Sequence, residues 1–291
     1  MLLQIVMAGL AMGAVYALVA LGFILIWNTV SVVNFAQGDF VMLGAFVGVG
    51  WVVNALHAPI ALQLLAIIGF MALFGIAVAA GVYHPLRRAP QLAVVTATLG
   101  LSMFLQNTVV LVWGPQPLFF AGPVGTGTIT LLGAKVYAQY LLILAALLAL
   151  MAVQEGLFRG TSIGRAMRAT AQDAEAARLM GIPTAWMIAA TFAWSAVLAG
   201  FAGWLVAPLF YVSADMGVTL SLKAFAATIL GGFGSVPGAL VGGLLLGVIE
   251  STGSYYASSE YADVIVFGVL IATLLFRPQG IFGELAAVER A

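Results

Sequence analysis

The stretch Leu141-Leu142-Ile143-Leu144-Ala145-Ala146-Leu147-Leu148-Ala149-Leu150-Met151-Ala152-Val153 is apolar at every position. Strands of a membrane barrel alternate apolar and polar residues in segments of about 10, so this run is not one of them. In hydrocarbon no water bonds the backbone, and a segment apolar on all sides must satisfy its N–H and C=O groups internally, as helix. The same character extends along the chain in both directions: of 291 residues 64% are hydrophobic and 7% charged, against about 25% charged in a soluble domain. Mean hydropathy is +1.16. A water-soluble globular protein is excluded. One crossing takes about 20 helical residues, and the apolar stretches leave room for about seven to nine. The chain reads as an all-α polytopic membrane protein, a single domain over residues 1–291, with about 8 transmembrane helices plus short or re-entrant ones.

Cysteine is absent, which removes disulfides, thiolate metal sites and thiol catalysis. His57 and His84 do not share a metal-ligand spacing, and both read as solvated or capping residues. No metal site is expected. Residues 1–27 carry no Lys or Arg, so the basic region of a cleavable signal peptide is missing and the segment reads as a mature helix.

Charge supplies the topology. Eight of the 10 basic residues fall in three places: Arg87 and Arg88; Arg159, Arg165, Arg168 and Arg178; Arg277 and Arg290. The positive-inside rule makes these regions cytoplasmic. Segments 92–113 and 137–157 lie between the first two regions and give an even number of crossings. Their connecting loop, with Pro115, Pro117, Pro123 and Gly125-Thr126-Gly127, faces outside with Lys135 as its charge. Upstream, 60–83 runs inward to Arg87, the Asn54 to Pro59 loop is outside, and 40–56 leads up to it. The first helix, about 3–27, has no flanking charge to orient it. Downstream, 184–207 leaves the cytoplasm, 251–263 is external, and 262–276 returns to Arg277. The stretch 222–250 then starts and ends outside, with a break between two arms of about 10 to 13 residues, too short to span fully. It reads as a re-entrant hairpin or a pair of short helices. Trp27, Trp51, Trp113, Trp186 and Trp204 fall near segment ends, as in an aromatic belt; Trp194 does not.

Three stretches stand out. Gly164 to Pro183 is Ala-rich, carries charges of both signs and ends on Gly181 and Pro183, a helix stop. It reads as one amphipathic helix outside the bilayer, with Ala166, Met167, Ala169, Thr170, Ala174, Ala177 and Met180 at helical spacing. Such a face either docks in a groove or lies on anionic lipid through its arginines. Val33-Asn34-Phe35-Ala36-Gln37-Gly38-Asp39-Phe40 interrupts an apolar run with polar residues. Asp39 either N-caps the following helix, or the cluster lines a water-filled path. Finally Gly231-Gly232-Phe233-Gly234-Ser235-Val236-Pro237-Gly238 breaks the later pair of arms. Its glycines, continuing through Gly242, Gly243 and Gly247, permit close helix packing, while non-helical backbone in a membrane needs cover from protein or water.

These three stretches carry a resemblance. Glu175-Ala176-Ala177 followed by Gly181 resembles the E-A-A-x-x-x-G coupling motif of ABC importer permeases, and Gly164 to Ile182 is similar to the version in the branched-chain amino acid permease family. Asn34-Phe35-Ala36-Gln37-Gly38-Asp39 resembles that family's N-terminal signature. The Gly231–Gly238 block resembles its second signature, and Arg277-Pro278-x-Gly280 fits its ending. The resemblance spans nearly the whole chain. It implies a type II ABC importer-like permease: a multi-pass subunit of a bacterial-type cytoplasmic (inner) membrane that forms a path for branched-chain or other hydrophobic amino acids. Relatives carry urea or short amides. Implied partners are a second, paralogous permease, two cytoplasmic ATPase subunits and an extracytoplasmic substrate-binding protein, with no nucleic acid. Implied coupling residues are Gly164, Arg165, Arg168, Glu175, Ala176, Ala177 and Gly181, within a coupling helix at about 160–183. Implied path or gate residues are Asn34, Phe35, Gln37, Asp39, Gly231, Gly232, Phe233, Gly234, Ser235 and Pro237.

The residues agree with that division of labour. No phosphate-binding Gly-x-x-x-x-Gly-Lys-[Ser/Thr] loop is present, so ATP and Mg are expected on partner chains and no cofactor or catalytic residue here. The rival reading, a self-sufficient secondary transporter, calls for coupling carboxylates at mid-depth, for which Asp39 is the candidate, since Asp215, Glu250, Glu260 and Asp263 fall near segment ends. An intramembrane hydrolase lacks its His-Glu-x-x-His or paired aspartates.

Overall fold

The computed structural model describes residues 2–53, 59–125, 127–131 and 133–283, the side chains of 51–53 excepted. His57 and the rest of the 54–58 loop, Thr126 and Arg290 lie outside the described residues. In order the elements are α1 (Leu2–Val30), α2 (Gln37–Ala45, continued by a π-helical stretch, Phe46–Val53), α3 (Ile60–Val78, continued through Ala79–Tyr83 into α4, His84–Leu86) and α5 (Gln91–Trp113). Then come strands β1 (Thr128–Leu131) and β2 (Ala134–Tyr137), α6 (Ala138–Glu155, extended by Gly156–Gly160), α7 (Ser162–Gln172) and α8 (Ala174–Leu179). The chain ends in α9 (Thr184–Val206), α10 (Met216–Gly231), α11 (Val236–Tyr256) and α12 (Ala262–Phe276). Among the described residues 7 helices are long and apolar enough to cross a membrane, and α2 and α10 are shorter apolar helices.

The core is built around α1, whose 29 residues extend about 44 Å. Of its most apolar window 89% is buried, against 11% and 17% in the spans that contain α12 and α6. Small residues let neighbours in: a Cβ at Gly13 would meet the Gly243 carbonyl oxygen at 2.6 Å, so α11 packs backbone to backbone on α1. Contacts from Gly9 to Val248 and from Asn28 to Gly234 show that the two helices run antiparallel.

The contacts also orient the first helix, which the charge pattern left undirected. Gln4 Nε2 donates to the Lys135 carbonyl at 2.7 Å in β2, on the outer hairpin. At the other end Gln91 Nε2 donates to the Ser31 carbonyl at 3.2 Å, beside the cytoplasmic Arg87 and Arg88. Thus α1 runs from the hairpin end of the bundle to the Arg87–Arg88 end, which the positive-inside rule reads as outside to inside.

Several expectations need correction. The outer loop after α5 holds an antiparallel hairpin, Thr128 paired with Tyr137 through Leu131 with Ala134, whose strands are too short to leave a pattern. The arms of 222–250 are not equally short: α10 has 16 residues and α11 has 21, because α10 already begins at Met216 and α11 continues past Glu250 to Tyr256. Their break lies at the Arg277 end of the bundle, where Ile281 N and Phe282 N donate to the Leu230 and Gly231 carbonyls at 3.0 and 2.9 Å. A pair of membrane helices, rather than a re-entrant hairpin, results. Trp204 leaves the aromatic belt: it is buried, with its Nε1 donating to Gln63 Oε1 at 3.0 Å.

Candidate functional site

Ser31 turns the chain with φ 54°, and residues 32–36 re-enter the bundle before α2 begins. Asn34 organises that entry. Its Oδ1 accepts from Ala36 N at 3.2 Å and its carbonyl accepts from Gln37 N at 3.1 Å, an Asx turn leading into the helix. Its Nδ2 is buried without a hydrogen-bond partner among the described residues.

Asp39 is not the cap. The N-cap of α2 is Ala36, without a side-chain bond, because Asn34 has already satisfied the first free amide. Asp39 sits in the first turn, 2% exposed, and accepts from Gln106 Nε2 at 2.9 Å, which also donates to the Ser102 hydroxyl at 3.1 Å. Phe35 N donates to Thr98 Oγ1 at 3.2 Å. Thr98, Ser102 and Gln106 recur every fourth residue and so share one face of α5. That spacing inside an apolar segment was a signal the sequence reading did not use.

Gln37 is fully buried on the opposite side. The Ser195 hydroxyl lies 3.1 Å from both Gln37 Oε1 and the Gly22 carbonyl, and the Gln37 amide occupies the space a Cβ at Gly22 would need. Gln37 and Ser195 are thus matched in the buried bundle, as the absence of water there requires.

The later break is held by capping. Ser235 Oγ accepts from Gly238 N at 3.1 Å, and Pro237 occupies the first turn of α11, where its missing N–H has no partner to lose. Gly232 has φ 107° and lies against Gly283, leaving no space for a Cβ. Asn28 Nδ2 donates to the Gly234 carbonyl at 2.9 Å. Protein therefore covers this non-helical backbone.

Aromatic rings join the two stretches that the sequence keeps about two hundred residues apart. Phe225 of α10 lies 6.0 Å from Phe35 and 5.8 Å from Phe233, ring centre to ring centre, and 5.9 Å from Phe23. Trp27 meets Phe233 edge-on at 4.9 Å. Phe35 is half-buried between α5 and α10. On either side of it these helices present an uncovered face: Leu92, Thr96, Met103 and Asn107 on α5, and Val218, Thr219 and Leu222 on α10.

The Gly164–Pro183 segment is not one helix. Asp173, with φ −157°, ends α7 and starts α8; its Oδ1 accepts from Glu175 N and Ala176 N, both at 2.9 Å. A short carboxylate offers the backbone an alternative to the helical ladder, which is the physical reason for the break. The expected single apolar face divides accordingly. Met167, Thr170 and Ala177 turn inward and are buried, while Leu179 and Met180 are 82% and 83% exposed. Gly164 packs against Leu157 with no space for a Cβ. Gly181 has φ 82°, and Ile182 N reaches back to the Ala177 carbonyl at 3.0 Å, a left-handed helix stop. Arg165, Arg168, Glu175 and Ala176 are exposed.

One cluster escaped the sequence reading. Lys223 Nζ pairs with Glu250 Oε1 at 2.6 Å and Asp263 Oδ1 at 2.8 Å, and Tyr16 Oη donates to Glu250 Oε2 at 2.7 Å. Glu250 thus acts within the bundle rather than at a segment end, tying α1, α10, α11 and α12 together. A lone lysine inside an apolar span is itself the clue. Among the described residues no cluster of His, Cys, Asp or Glu could hold a metal.

The family described as "Branched-chain amino acid transport system / permease component" matches residues 5–274. The chain belongs to this permease family. The permease is 36% identical to the high-affinity branched-chain amino acid transport system permease protein LivH of Salmonella typhimurium, over 97% of this chain and 96% of that one. It is 34% identical to BraD of Pseudomonas aeruginosa over the same shares. LivM of Escherichia coli, a permease protein of the same kind of system, is 31% identical over 41% of this permease and 28% of its own length. No solved structure matches. The multi-pass, largely helical architecture is that of a membrane permease, and the Asn34–Asp39 and Gly231–Gly238 stretches are joined through Phe225.

Proposed function

We propose that this permease forms one half of the translocation path of an ABC importer for branched-chain or related hydrophobic amino acids in a bacterial-type cytoplasmic membrane. The uncovered face of α5 carries the reading. Thr96 and Asn107 point outward there, and Asp39, Gln106 and Ser102 form a hydrogen-bonded group just behind them. Lipid would penalise such a face, whereas a hydrated path shared with a second permease accommodates it. A paralogue such as the LivM protein named above is the kind of chain that would supply the second half.

In this reading Phe35, Phe225 and Phe233 form a constriction at the cytoplasmic end of the path, and Asn34, Gln37 and Asp39 fix its first wall. The capped unit of α7 and α8 receives force from an ATPase subunit: its buried residues anchor it to the bundle, and Leu179 and Met180 stand out for insertion into a partner groove. Two ATPases bind and hydrolyse ATP with Mg, and an extracytoplasmic binding protein delivers the solute. Rigid-body rocking of packed helices then alternates access.

The test is uptake of radiolabelled leucine into proteoliposomes holding the assembled complex, with ATP on the ATPase side. Arg168→Glu or Gly181→Trp abolishes substrate-stimulated hydrolysis and uptake while assembly of the permease pair persists. Undiminished coupling in both variants would remove the α7–α8 unit from this role. Leucine uptake by the permease alone, driven by an ion gradient, would favour a secondary transporter instead.

A further inference from the structure

Between the Arg87-bearing end of α3 and its extension and the start of α9 lies an open cavity of about 600 Å³, to whose lining α8 also contributes. From its composition we infer that it binds the headgroup of an anionic glycerophospholipid. This inference does not need the transport reading, although Glu175 and Arg178 of the rim belong to the α8 unit proposed above to receive an ATPase subunit.

The rim is basic. Arg87, Arg88 and Arg178 line it against a single carboxylate, Glu175. Among the described residues the basic side chains paired with a carboxylate are Arg159 and Lys223; the three rim arginines have no such pair. Arg87 instead donates to His84 Nε2 at 2.6 Å, which steadies its guanidinium at the opening. Guanidinium groups match phosphate oxygens in geometry as well as charge.

The wall beneath is apolar and belongs to membrane-spanning helices: Ile76, Ala79 and Ala80 from α3 and its extension, Ile188 and Ala189 from α9. Trp186, 66% exposed, stands at the same level, where an indole sits at a membrane interface. A basic rim at the cytoplasmic surface above an apolar wall fits a molecule with a phosphodiester at one end and an acyl chain at the other. Basic pockets between membrane helices on the cytoplasmic side bind anionic headgroups for this reason. A soluble anion would satisfy the rim and leave the wall empty. A carboxylate of a partner protein would do the same.

Native mass spectrometry of the permease in its assembled complex, after exchange into phosphatidylcholine doped with phosphatidylglycerol, reads the site directly. The unmodified protein retains phosphatidylglycerol, and Arg87→Gln with Arg178→Gln lowers retention about tenfold. Arg159→Gln with Arg277→Gln, a loss of equal charge on the same side of the membrane, leaves retention unchanged. Brominated phosphatidylglycerol also quenches Trp186 more strongly than brominated phosphatidylcholine, and Trp186→Phe removes that difference. Equal retention in the two double variants would overturn the assignment. So would binding of glycerol phosphate as tight as that of the lipid, or retention seen only after the ATPase subunits are stripped away.

Discussion

Lys223 and Glu250 approach to 2.6 Å across the α10–α11 pair, and their side chains are 10% and 15% exposed. A pair so enclosed is poorly screened, and removing one partner strands the other charge in a dry bundle at a cost of about 3 kcal/mol or more. Lys223→Met therefore lowers the unfolding temperature of the purified permease sharply. Glu250→Gln recovers much of the loss when combined with it, since the stranded carboxylate is then neutral and Tyr16 keeps an acceptor. A thermal-denaturation double-mutant cycle measures this; additive losses would mean that the pair is not coupled.

Asp173 governs the α7–α8 unit separately. Its carboxylate caps α8 through two amides, and loss of an N-cap costs about 1 kcal/mol. Asp173→Ala loosens α8 without touching the membrane core, whereas Asp173→Asn retains the acceptor. The unit's end behaves likewise. Gly181→Ala must hold φ near 82° at a cost of about 1 kcal/mol, and Gly181→Asn tolerates that backbone better. In hydrogen exchange, Asp173→Ala and Gly181→Ala speed exchange of the α8 amides, and the Asn variants stay close to the parent protein.

How much of this was legible follows from the range of the interactions. The spans around Leu147 and Val109 announce themselves by composition alone, and the arginines order them across the membrane, because both signals are local. The hairpin at Thr128–Tyr137 is too short to show a period. The break at Asp173 was hidden by alanines that favour helix on either side of it. Asn34, Asp39 and the Gly231–Pro237 stretch were visible as polar or glycine interruptions, yet their meeting around Phe225 depends on how α1, α2 and α10 pack. Likewise no sequence spacing relates Lys223 to Tyr16.

Gly22 and Gln37 make a steric prediction. A methyl at Gly22 would occupy the place of the Gln37 amide and approach the Ser195 hydroxyl at 3.0 Å, so the glutamine cannot keep its pairing. Overpacking of this kind costs about 1–3 kcal/mol. Gly22→Ala lowers the unfolding temperature, and Gln37→Ala in the same chain restores part of it by vacating the space. Failure of the second substitution to help would place the strain elsewhere along α1.

The polar group behind the α5 face is open to a last test. Gln106 is placed by sharing its Nε2 between Asp39 Oδ1 at 2.9 Å and Ser102 Oγ at 3.1 Å. Gln106→Leu leaves the buried Asp39 carboxylate short of a donor, and an unsatisfied buried charge costs more than the hydrogen bond itself contributes. Stability falls by about 1–3 kcal/mol, and leucine uptake by the assembled complex falls with it if this face lines the path. Asp39→Asn distinguishes shape from charge: the amide preserves the size of the group and can still accept from Gln106. Combined with Gln106→Leu, Asp39→Asn restores stability, because the neutral amide no longer needs a charge-matched donor. Uptake that returns with stability means that the face needs order rather than a carboxylate. Uptake that stays low while the fold recovers assigns the Asp39 charge itself to the passage of solute.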